Sequence, residues 1–143
     1  MTFRYPVIPL IFLLIIGIAG LFAGCTAPQI GETATDGNLA PGPTQTLPPG
    51  KNVILQINEK DTSYQTVTVL FAGGEGQIAV TDILLVYTRV DGTSEMKNLP
   101  ATKGAEVVFQ GTRETDRIHG YATLNTGVRY KIIDQSVPYR TRG

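Results

Sequence analysis

The chain has 143 residues with twelve basic and twelve acidic side chains, so no net charge draws it to nucleic acid. Its single cysteine excludes an internal disulfide, and stability must come from burial. One histidine and one thioether beyond the leader (His119 and Met96) cannot furnish a blue-copper centre, and no repeat of solenoid length is visible.

The first 25 residues carry one cation, Arg4, ahead of an uncharged apolar run from Val7 to Ala23. As a helix those 17 residues measure about 26 Å at ~1.5 Å per residue, longer than most signal-peptide cores and barely enough to cross a bilayer. The run ends Leu21-Phe22-Ala23-Gly24-Cys25, which resembles the lipobox of prokaryotic lipoproteins. That resemblance implies cleavage before Cys25 and lipid attachment to its thiol. The alternative is an unmodified anchor helix that happens to end in cysteine. Either way the amino terminus with Arg4 stays cytoplasmic, and residues 26–143 face the extracytoplasmic side of the cell membrane. A lipid with two chains suffices for stable attachment.

Residues 26–50 contain five prolines, four glycines, five threonines and no Lys or Arg before position 51. Such a segment buries too little to offset its ordering entropy, so a disordered tether is expected. Its reach is about 25–30 Å as a coil and ~75 Å extended. The threonines also suit O-linked sugar, whereas no Asn-x-Ser/Thr acceptor occurs in the chain.

From Lys51 the pattern turns to strand. Val53, Leu55 and Ile57 alternate with polar residues, and Val67, Val69 and Phe71 repeat the period of two within 64–72. Residues 78–89 are apolar on both faces between Ile83 and Tyr87, as in a central strand, and Asp91-Gly92 then signals a hairpin. Further strands are expected at 94–99, at 105–110 with Val107 and Phe109 inward, at 117–124 with Ile118, Ala122 and Leu124 inward, and at 128–137. Seven short strands in residues 51–143, with no helical period, predict an all-β fold: a seven-stranded antiparallel β-sandwich of immunoglobulin-like size. A six- or seven-stranded barrel is the second architecture. The domain has no Trp and no cysteine pair, so the immunoglobulin hallmark is missing.

Little in residues 51–143 points to chemistry. Gly73-Gly74-Glu75-Gly76 lacks the Gly-Lys-Ser/Thr and the helix of a phosphate loop, and reads as a turn. Asp91-Gly92 lacks the oxygen-rich loop that calcium needs. His119 combines arithmetically with Ser94 or Ser136 and Asp116, but no nucleophile elbow occurs and nothing places them together. His119 is expected on the solvent face or bonded to a neighbour. Arg113, Glu114, Asp116 and Arg117 read as a solvated charge cluster at a turn, and Tyr139-Arg140-Thr141-Arg142 as a frayed tail. No catalytic, metal or cofactor site is expected, and the chain is not expected to be an enzyme.

Ala72-Gly73-Gly74, Val80-Thr81-Asp82-Ile83 and Arg89-Val90-Asp91-Gly92-Thr93 are similar to the β-rich domain of archaeal type-IV-pilin-like surface proteins, and residues 111–137 resemble the closing hairpin of that domain. The resemblance implies a surface-displayed, non-catalytic module and carries over no active-site residue. Two functions stay open. One is a membrane-anchored structural or protein-interaction module touching envelope components, with sheet edges that accept a partner strand. The other is a small ligand-binding lipoprotein serving a transporter or sensor, which requires a concave pocket of about 300 Å³ or more.

Overall fold

The computed structural model describes residues 39–141. The expected leader, lipid attachment at Cys25 and the tether up to residue 38 lie outside the described residues. Among the described residues, no helix is long and apolar enough to cross a membrane.

Seven strands follow one another: β1 (Ile54–Ile57), β2 (Thr66–Gly73), β3 (Val80–Thr88), β4 (Ser94–Asn98), β5 (Glu106–Gln110), β6 (Asp116–Leu124) and β7 (Arg129–Val137). They form two antiparallel sheets, ordered β1-β2-β5 and β4-β3-β6-β7. The ladders do not close into a barrel. Neighbouring edges β4 and β5 are bridged by side chains instead.

Alternation decides which face is buried. Val67, Val69 and Phe71 of β2 are wholly buried, as are Ile83, Leu85 and Tyr87 of β3 and Phe109 of β5. Ile118, Ala122 and Leu124 of β6 complete the layer, so each expected inward face is the observed one. The Tyr87 and Phe109 rings stack between the sheets with centroids 5.3 Å apart, a contact worth about 0.5–1.5 kcal/mol beyond its area. Strand β3, flanked by β4 and β6, also buries Val86 and Thr88 on its other face, as a central strand should.

Two local departures have physical causes. Ile78 and Ala79, expected to begin a strand, instead lie in one turn of 3-10 helix, Gln77–Ala79, that buries Ala79 and leaves Ile78 exposed. The turn is set by Gly76, whose N–H donates to the Asn52 carbonyl at 2.9 Å. A β-carbon on Gly76 would collide with the Lys51 carbonyl, so the glycine run is there for a close backbone crossing.

The second departure concerns the expected tether. Residues 39–47 are laid against β7 as a strap. Gln45 donates its backbone N–H to the Lys131 carbonyl and accepts the Lys131 N–H on its side-chain oxygen, both at 2.7 Å. Leu47 enters the core. Composition favoured disorder here, but one buried leucine and a free sheet edge supply what the segment lacks on its own.

Candidate functional site

The residues most able to do chemistry meet at one end of the sandwich. Lys60 comes from the β1–β2 connection, Tyr87 from the end of β3, Thr112 and Glu114 from the β5–β6 loop, and Asp116 from the first position of β6. Asp116 shares the parity of Ile118 along β6, so its carboxylate points into the space between the sheets. Lys60 Nζ donates to Asp116 Oδ2 at 2.6 Å and to the carbonyls of Thr112 and Glu114 at 3.1 and 2.8 Å. Its three protons are thus all used.

Asp116 accepts four more hydrogen bonds. The Tyr87 hydroxyl donates at 2.9 Å, the Thr112 N–H at 2.8 Å, the Thr112 hydroxyl at 2.7 Å and the Val90 N–H at 3.1 Å. Burial alone would raise the carboxyl pKa, but the Lys60 ammonium, the Thr112 N–H and hydroxyl and the Tyr87 hydroxyl together hold it below its usual value. Burial, reinforced by the hydrogen bond to Asp116, pushes the Tyr87 hydroxyl far up. Both side chains of the ion pair have zero exposure. With no exposure and every Lys60 donor engaged, the pair is a staple between the sheets.

A second ionic group lies on the outer face of the four-stranded sheet. Arg117 grips Asp134 with two parallel bonds, Nε to Oδ1 at 2.8 Å and a terminal nitrogen to Oδ2 at 2.7 Å. Lys131 Nζ lies 2.7 Å from the same Oδ2, and the Gly42 N–H reaches it at 3.0 Å. Burial opposes ionisation of Asp134, yet Arg117, Lys131 and the Gly42 N–H bring its pKa down to about 2.

The sequence reading of a solvated cluster is corrected here. Arg113 and Glu114 are exposed, but Asp116 and Arg117 are buried, each drawn to a partner far along the chain. The Ser/His/Asp combination does not assemble either. His119 lies on the outer face of β6, opposite Asp134 in register and edge-on to Tyr121 at 5.6 Å. Asp116 is three residues away, on the other face of the strand. The Ser94 hydroxyl pairs with that of Thr88 at 3.0 Å, and Ser136 lies opposite Arg117. Asp91-Gly92 makes the expected hairpin: Arg89 N–H donates to the Thr93 carbonyl at 2.8 Å, with Gly92 at φ +83°. Tyr139, expected in a frayed tail, anchors through its hydroxyl to the Thr62 carbonyl at 3.0 Å.

The edge of β5 is closed by cations from the other sheet. Lys97 Nζ donates to the Val108 carbonyl at 2.5 Å and sits 5.1 Å from the centre of the Phe109 ring. Arg89 Nε donates to the Gln110 carbonyl at 2.7 Å, and its guanidinium is paired with Glu95. These are the outward carbonyls that an added strand would need.

A cleft of about 720 Å³ opens between the β1–β2 connection and the end of β7. Its walls are polar, with Glu59, Asp61, Ser63, Gln135, Ser136 and Arg140 among them. Among the described residues, no group of three or more His, Cys, Asp or Glu side chains is placed to hold a metal ion.

No protein-family model matches the chain, and no curated protein does. Among solved structures, a polysaccharide deacetylase from Bacillus cereus matches 62% of this chain at 9% identity and a TM-score of 0.48. The chain spans 30% of that protein's length, and so faint a likeness says nothing of activity.

Proposed function

We propose that the chain is a membrane-anchored, surface-exposed, non-catalytic structural or protein-interaction module, held at the extracytoplasmic face of a prokaryotic cell membrane. One observation carries the reading. The buried charged groups are spent on architecture: Lys60 and Asp116 staple the sheets, while Arg117, Lys131 and Asp134 fasten the strap. The leader and its lipobox-like end at Cys25 supply the anchor in this proposal, and the likeness to archaeal pilin-like surface proteins suits the same setting.

Intact-mass measurement of the protein extracted from membranes tests the anchor. A mass starting at Cys25 with two or more acyl chains is expected. Recovery of the unprocessed chain in the soluble cytosolic fraction would overturn the proposal. Proximity labelling on intact cells then identifies the envelope component or protein it touches.

The polar cleft favours a second reading, a small ligand-binding lipoprotein serving a transporter or sensor. Its volume of about 720 Å³ suits a compact ligand, and its lining suits a polar one. A thermal-shift screen of the full chain in detergent against sugars, amino acids and metal ions separates the two. Stabilisation by several degrees with one compound, lost in Ser136→Trp, would favour the ligand-binding reading.

A further inference from the structure

The strap and its seat on β7 fit one another in detail. The seat is built from three side chains joined through one carboxylate: Arg117 and Lys131 both bond Asp134, and with the strap in place all three are at most 11% exposed. Above it, a side chain at position 42 would press on the seat, and the flexible end of Lys131 would have to give by a few tenths of an ångström. A β-carbon there would lie 3.3 Å from Lys131 Nζ and 3.4 Å from Asp134 Oδ2. Three residues on, Gln45 forms two hydrogen bonds with the Lys131 backbone, and two further on Leu47 fills a gap in the core. Gly42 meets residue 134 and Gln45 meets residue 131, so the strap runs antiparallel to β7. The seat therefore takes an extended segment of pattern Gln-x-Leu whose backbone N–H three residues before the Gln meets Asp134.

The link from strap to β1 is Pro48-Pro49-Gly50, a single turn closed by the Lys51 N–H on the Pro48 carbonyl at 3.0 Å, with Gly50 at φ +70°. Adjacent prolines keep the preceding chain extended. If the turn at Gly50 opens, the nine residues 39–47 project up to about 30 Å from the domain, at ~3.3 Å per residue. None of the contacts requires strap and seat to belong to the same molecule.

We infer that the β7 edge docks a second copy of this chain by exchange of residues 39–47, each copy's strap lying on the other's seat. The occupant is a second copy because the chain itself carries the pattern that the seat reads. Exchange preserves the strap contacts, so concentration and the hinge decide between monomer and dimer. The resulting pair is closed and two-fold, and it exposes no new edge. The inference goes beyond the proposed function and stands whether or not Cys25 is lipidated.

Light scattering on the full chain in detergent tests it. Deleting Pro49 and Gly50 shortens the hinge so that the strap cannot return to its own seat. The apparent dimer dissociation constant should then fall at least tenfold, and adding Leu47→Asp should restore the monomer. A deletion variant that stays monomeric with a folded circular-dichroism spectrum, or a dimer that survives Leu47→Asp, overturns the inference. Should the deletion prevent folding, a labelled peptide of residues 39–50 is titrated into full chain carrying Leu47→Asp. Saturable binding that weakens at least tenfold when the peptide carries Leu47→Asp supports exchange. Absence of binding at millimolar peptide, or binding indifferent to Leu47→Asp, refutes it.

Discussion

Lys60 Nζ and Asp116 Oδ2 are 2.6 Å apart, and neither side chain touches solvent. Removing one partner of such a pair costs about 3–5 kcal/mol, because the other is left charged and buried. The two removals are not equivalent here. Without Lys60, Asp116 keeps four hydrogen-bond donors; without the carboxylate, Lys60 keeps two carbonyls. Asp116→Asn also turns an amide group toward donors. It should therefore cost the upper end of that range in urea unfolding, and Lys60→Met the lower end or less. Equal costs, or the reverse order, would show that the donors around Asp116 do not stabilise its charge.

Gly111 is packed against the same network. A β-carbon there would lie 2.6 Å from the Tyr87 hydroxyl, 2.8 Å from the Gln65 carbonyl and 2.9 Å from Asp116 Oδ2. Gly111→Ala should cost about 1–3 kcal/mol by overpacking and should move the hydroxyl off the carboxylate. Burial and Asp116 keep Tyr87 protonated, so in the native protein Tyr87 should resist alkaline titration until the chain unfolds. In Gly111→Ala, with its bond to Asp116 weakened, Tyr87 should ionise at lower pH than in the native protein. An unchanged spectrophotometric titration would contradict the geometry.

The sheet faces were legible because each rests on a local period. Val67, Val69 and Phe71 announce their inward face without help from any distant residue, and the apolar run from Ile83 to Tyr87 announces a strand covered on both sides. The ionic groups were not legible, because their partners are distant: Lys60 lies 56 residues from Asp116, and Gly42 lies 92 from Asp134. Thr112-Arg113-Glu114-Thr115-Asp116-Arg117 reads locally as a solvated turn. One signal was available, since Asp116 shares its parity with Ile118, Ala122 and Leu124 and so belongs to the inner face. The strap had no comparable signal: a proline-rich segment looks the same whether a seat exists for it or not.

Closing the β5 edge depends on Arg89 and Lys97. Replacing both by alanine frees the carbonyls of Val108 and Gln110 and removes the cation from the Phe109 ring. Sedimentation of Arg89→Ala/Lys97→Ala should show concentration-dependent association beyond that of the native chain at the same concentrations. Either single variant should associate less, since one cation still obstructs the edge. A double variant that sediments as a monomer across the same range would mean that twist or strand length protects β5 without them.

Acid should loosen the molecule through Asp134. Its pKa is about 2 in the folded chain, against ~3.9 for an unperturbed aspartate. A depressed carboxyl stabilises the fold fully above the unfolded value, and that contribution drains away as pH falls from about 4 toward 2. The full contribution is on the order of 2 kcal/mol for a shift of this size. Asp116, also depressed, should add to the loss in the same direction. Urea midpoints measured at pH 7, 4 and 2.5 should drop chiefly between the last two. Asp134→Asn should be less stable than the native chain at pH 7 and should lose less between pH 4 and 2.5, because the titrating group is gone. An identical slope in both proteins would mean that Asp134 is no better solvated by Arg117, Lys131 and the Gly42 N–H than by water, and the strap's seat would lose its electrostatic basis.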